Sequence, residues 1–341
     1  MRALRLLHWG KPARLMDVPA PVAQDGEVLI RVRAAGLCHS DIHVLDSGPA
    51  TFPFEPPFTL GHEIAGEVVD APGDSTLVGS MVVVYAPWGC GTCQRCRSGA
   101  LNYCDRSGTS GIAGLGLGTD GGLAEFVTVE ASRIIDIGDL DPLDAVPLTD
   151  AGLTSWHALG QAGHRLADGG AALVIGIGGL GHLAVQLLRA VTPAVVVTVD
   201  ARVEALDLAR QSGAHHIVDA NSAHLRKDLL ELSPAGYDVV LDMVGAQTTL
   251  DLAREVLRTN AHLSIVGSAG GALRLAKPGV LPGLQVSLPF WGTRGDLVDV
   301  VSMAGRGLVR PQVVRYALDN YAEALDDLRH GRVRGRAALV P

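Results

Sequence analysis

Four cysteines fall within fifteen residues, as Cys90-Gly-Thr-Cys93-Gln-Arg-Cys96 followed by Cys104. Thiolates at this spacing can surround one tetrahedral Zn²⁺ and leave no coordination position open, so such a site is structural. An iron–sulfur cluster is the competing reading, because C-x2-C-x2-C also opens ferredoxin runs. Here the fourth cysteine comes late and is followed by Asp105, not proline. The fifth cysteine, Cys38, stands apart in Gly36-Leu-Cys-His-Ser-Asp41, and Gly61-His62-Glu63 comes some twenty residues on. A thiolate and an imidazole are good zinc ligands, and a carboxylate as third would leave a position for water or substrate. Asp41, Glu63 and Asp150 could each supply it; equally, Cys38 and His62 could be ordinary core residues.

A third constellation, Gly176-Ile-Gly178-Gly179-Leu180-Gly181, fits G-x-G-x-x-G. The apolar run Ala171–Ile175 precedes it, a helical period through Leu188 follows, and Asp200 ends the next apolar run. Gly176 permits the tight turn, Gly178 lets the backbone approach a pyrophosphate, and Gly181 allows close helix–strand packing. The anion would rest on the helix N-terminus, where free N–H groups and the dipole favour it. Asp200 can accept hydrogen bonds from the adenosine ribose, and its charge repels a 2′-phosphate. NAD is therefore expected over NADP, with Arg202 partly offsetting that repulsion.

These residues need a scaffold, and the sequence changes character along its length. Residues 1–150 carry short β-like runs: Glu27–Arg33, Ile64–Val69, Met81–Tyr85 and Ala124–Val129. From residue 151 to 289, apolar runs alternate with helical periods. Ala194–Val199, His215–Val218, Tyr237–Val244, Ala261–Val266 and Gln285–Leu288 read as strands; Arg202–Gln211, Ala223–Leu232 and Thr248–Leu257 read as helices. That alternation implies a parallel sheet covered on both faces, in a doubly wound α/β (Rossmann) domain. Residues 290–341 break the rhythm and are expected to return to the mostly β domain.

Composition excludes other classes. Hydrophobic residues make up 48% and charged residues 19% of the 341, as in a globular chain. With aromatics at 4% and a formal charge of −8, neither nucleic acid nor an anionic membrane is an expected partner. Met1–His8 is too polar for a secretory leader, and Ala171–Leu188 carries too many glycines and polar groups to span a bilayer. A cytoplasmic protein is the expectation.

Cys38-His-Ser-Asp-x-His43, Gly61-His-Glu-x-x-Gly66, the four-cysteine lobe and the glycine loop occur in this order. Together with Pro147-Leu-Thr-Asp-Ala-Gly-Leu-Thr154, they make the chain resemble the zinc-dependent medium-chain alcohol dehydrogenases over essentially its whole length. The similarity is greatest to bacterial NAD-dependent secondary-alcohol dehydrogenases. The resemblance implies a GroES-like catalytic domain (1–150 and 290–341), a Rossmann NAD domain (151–289), and a substrate cleft between them. It implies two Zn²⁺ per chain: one on Cys38, His62 and Asp150, the other on Cys90, Cys93, Cys96 and Cys104. Glu63 matches an acid near the metal, Asp41 the carboxylate behind the ligating histidine, Ser40 the hydroxyl touching substrate, and His43 an outer proton relay. Arg336, within Gly331-Arg-Val-Arg-Gly-Arg336, resembles a pyrophosphate-binding arginine. Val266, Ser268 and Trp291 match segments beside nicotinamide and substrate. The implied reaction is reversible hydride transfer between a primary or secondary alcohol and NAD, in a homo-oligomer (dimer or tetramer). The alternative is a polyol or sugar dehydrogenase of the same superfamily.

Overall fold

The computed structural model describes residues 1–277, 279 and 281–341. The chain divides into two compact units: Met1–Asp150 with Thr293–Gly307 and Pro311–Pro341, and Ala151–Gly292 with Leu308–Arg310.

The first unit is built on a sheet whose strands run in the order Ile134–Asp136, Met81–Val84, Glu63–Asp70, Glu27–Leu37, Arg336–Val340, Val313–Ala317, with Phe126–Glu130 also on Glu27–Leu37. The strand Glu27–Leu37 alternates buried and exposed side chains at first, then buries every residue from Ala34 to Leu37. Ala34, Ala35 and Gly36 are small enough for neighbours to close on both faces there. Gly36 pairs with Glu63, and Leu37 with Ala337, so two distant stretches meet beside Cys38. The helix His39–Asp46 starts directly after this strand and carries Ser40, Asp41 and His43.

The second unit holds a six-stranded parallel sheet in the order His216–Asp219, Val195–Asp200, Ala171–Ile175, Tyr237–Asp242, Leu257–Ile265, Gln285–Ser287. This is the doubly wound order 3-2-1-4-5-6. Every residue of Ala171–Ile175 is buried, as expected of a strand covered on both faces. The helix expected from Ala223 begins at Leu225, and the strand expected to reach Val244 stops at Asp242. Asp242 ends it because its Oδ1 accepts the N–H groups of Val244 and Gly245, both at 2.9 Å, which turns the chain. The fifth strand begins at Leu257, before the expected Ala261, after a helix Gln247–Val256. The glycine-rich stretch at 171–188 resolves into strand, turn and helix; among the described residues no helix is long and apolar enough to cross a membrane.

Candidate functional site

Among the described residues, two groups of His, Cys, Asp and Glu side chains bring their donor atoms within 4.8 Å of one another. The first is Cys90, Cys93, Cys96 and Cys104. Cys90 and Cys96 sulfurs are 4.0 Å apart, as are those of Cys93 and Cys104. Sulfurs about 2.3 Å from one tetrahedral ion would be about 3.8 Å apart, so the lobe fits a closed Zn²⁺ site. Its local fold aims N–H groups at sulfur: Cys93 N–H at Cys90, Cys96 N–H at Cys93, and Arg106 N–H at Cys104, each 3.4 Å. The Thr92 hydroxyl and neighbouring amides pull Cys90 down to about 5, and the Cys96 and Asp105 amides lower Cys93. Both therefore favour the thiolate a metal needs. Burial pushes Cys96 up to about 12, so without a cation that thiol keeps its proton.

The second group is Cys38, His62, Glu63 and Asp150, all in the first unit. Cys38 caps the helix His39–Asp46; its sulfur accepts the Ser40 N–H at 3.1 Å and lies 3.3 Å from His62 Nε2. Carboxylate oxygens of Asp150 and Glu63 each lie 3.9 Å from the same Nε2. Behind the ring, Asp41 Oδ1 stands 3.5 Å from His62 Nδ1 while its Oδ2 accepts the Cys38 N–H at 2.9 Å. One carboxylate thus holds both the capping cysteine and the histidine. Thiolate, imidazole and carboxylate are a donor set suited to Zn²⁺, and the closeness of their donor atoms fits one ion held by three or four of them.

Arg336 lies inside this group. It is 4% exposed, its Nε donates to Glu63 at 3.1 Å and its Nη2 to both Glu63 and, at 2.5 Å, Asp150. Burial alone would raise the Asp150 carboxyl, but His62 and Arg336 hold it below the usual carboxylate range. Glu63 behaves oppositely: burial and the nearby Asp150 charge push it up to about 7, despite Arg336. Burial disfavours a charged His62, yet Cys38, Asp41 and Asp150 keep its proton affinity well above the ordinary value. A cluster this rich in negative groups attracts cations. Glu63 has room here because its cross-strand partner is Gly36, where a Cβ would come within 2.6 Å of the Glu63 carboxyl carbon.

Ser40 and His43 are both exposed and sit three residues apart on the helix that Cys38 caps, so they share a face. Arg332, by contrast, is absorbed on the surface by Asp326 and Asp327.

In the second unit the glycine loop follows the strand Ala171–Ile175. Gly176 has φ +88°, and a Cβ on Gly181 would strike its carbonyl oxygen, so both positions need glycine. The helix Gly181–Val191 begins without a side-chain cap; the His182 and Leu183 N–H groups donate to the Gly178 and Leu180 carbonyls, and the positive end of the helix dipole lies at the glycine loop, where an anion is favoured. Asp200 ends the neighbouring strand; its Oδ2 accepts the Ile177 N–H at 2.7 Å and its Oδ1 the Arg202 N–H at 3.0 Å. Arg202 Nε adds a 3.3 Å bond, so aspartate and arginine are paired. Val266 and Ser268 follow the strand Leu257–Ile265 and share the carboxyl edge of the sheet with the glycine loop. Trp291 is buried with φ +49° and packs on the half-exposed Phe290, ring centroids 5.1 Å apart.

Two residues escaped the sequence reading. Asp242 holds the turn after its strand and also accepts the Thr249 hydroxyl at 2.7 Å; an acid closing a continuous apolar run was the available signal. Gly36, which makes space for Glu63, gave no signal beyond its neighbourhood to Cys38.

The domain described as "Alcohol dehydrogenase GroES-like domain" matches residues 24–139, and "Zinc-binding dehydrogenase" matches residues 179–304. An NAD-dependent alcohol dehydrogenase of Sulfurisphaera tokodaii is 34% identical over 356 residues, covering 100% of both chains. A D-arabinose 1-dehydrogenase (NADP(+)) of Saccharolobus solfataricus is 32% identical over 347 residues, covering 100% of this chain and 97% of its own. The crystal structure of the alcohol dehydrogenase from Aeropyrum pernix superposes with a TM-score of 0.91 at 35% identity, with complete coverage of both chains.

Proposed function

The chain belongs to the zinc-type medium-chain alcohol dehydrogenase family, and from that premise we propose how its residues perform NAD-dependent oxidation of an alcohol and the reverse reduction of a ketone or aldehyde. Cys38, His62 and Asp150 are the ligands of a catalytic Zn²⁺, and Cys90, Cys93, Cys96 and Cys104 those of a structural one. When bound, the catalytic metal supplies Lewis acidity that lowers the pKa of an alcohol hydroxyl, and nicotinamide supplies the hydride acceptor. Asp41 orients the His62 ring through Nδ1, so that Nε2 faces the other ligands. The exposed Ser40 hydroxyl relays the substrate proton, releasing its own outward as it accepts, and His43, three residues along the same helix face, hands a proton on to solvent. Glu63, held by Arg336, is the acid nearest the ligands. Gly176, Gly178, Gly179, Leu180 and Gly181 cradle the pyrophosphate, Asp200 binds the adenosine ribose, and Val266, Ser268 and Trp291 border the nicotinamide. Arg336, still paired with Glu63, adds positive charge towards the cofactor phosphates.

Residues 1–150 with 290–341 form the catalytic domain and 151–289 the NAD domain. The active form is a cytoplasmic homo-oligomer, dimer or tetramer. The convergence of Cys38 Sγ, His62 Nε2 and the Asp150 carboxylate within 4.8 Å carries this reading.

The test combines metal analysis with a panel of primary and secondary alcohols under NAD and NADP. About two Zn²⁺ per chain and NAD-linked alcohol oxidation are expected, with Cys38→Ala losing one metal and all turnover while still binding NAD. Full activity in a protein holding metal only in its four-thiol lobe would overturn it. The kinship with a D-arabinose dehydrogenase makes aldoses the second arm of the panel; preference for them over simple alcohols establishes the sugar reading.

A further inference from the structure

We propose that Gly116 and Gly121 are positioning residues for His62, and that their loop ties the stem of the four-thiol lobe to the open metal site. This rests on the reading of His62 as a metal ligand.

Gly61, the residue before His62, has φ +96°, and a Cβ there would meet Leu123 N and Cγ at 2.7 Å. A Cβ on Gly116 would lie 2.6 Å from the Gly61 carbonyl carbon, 2.7 Å from its oxygen and 2.8 Å from its nitrogen. A Cβ on Gly121 would run into the Gly61 carbonyl oxygen and come within 2.6 Å of Gly116 Cα. Three stretches of backbone therefore touch with no side chain between them. Hydrogen bonds lock the contact: Gly121 N–H donates to Thr59 at 2.9 Å, Gly122 N–H to Gly61 at 2.8 Å, and Leu123 N–H to Leu60 at 2.9 Å. Where residues 116–123 go, the chain entering His62 must follow.

The other side of the same loop is bonded to the stem of the lobe. Trp88 N–H donates to Ala113 at 3.0 Å and Leu115 N–H to Ala86 at 3.2 Å, while Pro87 bridges to Gly114. Two residues beyond Trp88 the chain reaches Cys90. Close-packed backbone has no slack to absorb a shift, so displacement on one side is passed to the other. No residue from 113 to 123 could ligate the open site except Asp120, whose carboxylate is taken by Arg5 and the Thr59 N–H.

Gly121→Ala is the sharpest probe, because Gly121 does not have a positive φ and the added methyl acts by contact alone. Cobalt(II) affinity of the open site, read from the thiolate–cobalt absorption during chelator competition, is expected to fall about 10–100-fold, the range for groups that orient a ligand. The four-thiol lobe should keep its metal. Gly108→Ala, between Cys104 and this loop and with nothing within 4 Å of its Cβ, should change neither site. Wild-type affinity in Gly121→Ala overturns the proposal; absence of cobalt binding at the open site of the wild type instead overturns the ligand assignment beneath it. A measurement on the wild type stands independently of whether the variant folds. Loading the open site should slow amide exchange at Gly121, Gly122 and Leu123, and at Trp88 and Leu115. Unchanged exchange overturns the positioning role, and slowing confined to Gly121–Leu123 overturns the tie to the lobe.

Discussion

Arg336 Nη2 lies 2.5 Å from Asp150 Oδ2, so the carboxylate proposed to complete the catalytic metal set is already shared with a buried guanidinium. The same arginine also holds Glu63. One cation thus offsets a fully buried and a partly buried carboxylate, in a place where an unpaired charge is costly.

Removing that cation should therefore destabilise the metal-free protein strongly. Arg336→Gln is expected to cost about 3–5 kcal/mol, the usual loss when one partner of a buried pair is removed. Zinc at the open site brings its own positive charge, so the loss should shrink in the loaded enzyme. Denaturant unfolding with and without Zn²⁺ checks this, and equal losses in both states would refute the charge-sharing account.

Asp200 presents a different balance. Its carboxylate accepts the Ile177 and Arg202 amides and pairs with the Arg202 guanidinium. Asp200→Gly should release Arg202 to meet a 2′-phosphate and raise the NADP-to-NAD ratio of kcat/KM by about tenfold or more, equivalent to about 1.4 kcal/mol. Stability should fall by about 1–3 kcal/mol as the Ile177 N–H loses its acceptor. An unchanged coenzyme ratio would remove Asp200 from the ribose site.

His262, far from either metal group in sequence, governs a pH effect. It is buried on the strand Leu257–Ile265, Nε2 is 2.8 Å from the Ser287 hydroxyl, and its Nδ1 has no partner among the described residues. Burial, then Arg165 and His164, push its pKa down to about 4. The native state thus refuses a proton that the unfolded chain accepts below about 6.5. The contribution is complete above that pH and is lost as pH falls towards 4, amounting to roughly 3 kcal/mol. His262→Gln should flatten the stability profile between those limits by this amount; a parallel profile would contradict the assignment.

Much of the site was legible because its chemistry is local. Cys90, Cys93, Cys96 and Cys104 lie on one short stretch, and Gly176, Gly178 and Gly181 share a turn whose spacing reports its own geometry. The third ligand was different. Asp41, Glu63 and Asp150 are equivalent as residue types, and only the resemblance to a family singled out Asp150. The structure brings all three around His62 and distinguishes them by their partners: Asp41 behind the ring, Glu63 and Asp150 on Arg336. Arg336 was expected on phosphate, and nothing near it in sequence points to the acids it holds. Gly121 was invisible for a related reason, since its need for glycine comes from the backbone of Gly61 and not from its own turn; Gly116, with φ +70°, needs glycine on both counts.

The strand Arg336–Val340 fits between Glu27–Leu37 and Val313–Ala317, and Arg336 is 273 residues removed from Glu63. A ribosome adding about 5–20 residues per second needs about 14–55 s to cover that separation. Throughout that interval the nascent chain carries an open β-edge at Ala35–Leu37 and a Glu63 still awaiting its counter-ion, joined by Asp150 for the last 186 residues. Such late, long-range closure makes folding slow and leaves the half-made protein exposed to aggregation, so its yield in the cell should depend on chaperones more than its final stability suggests.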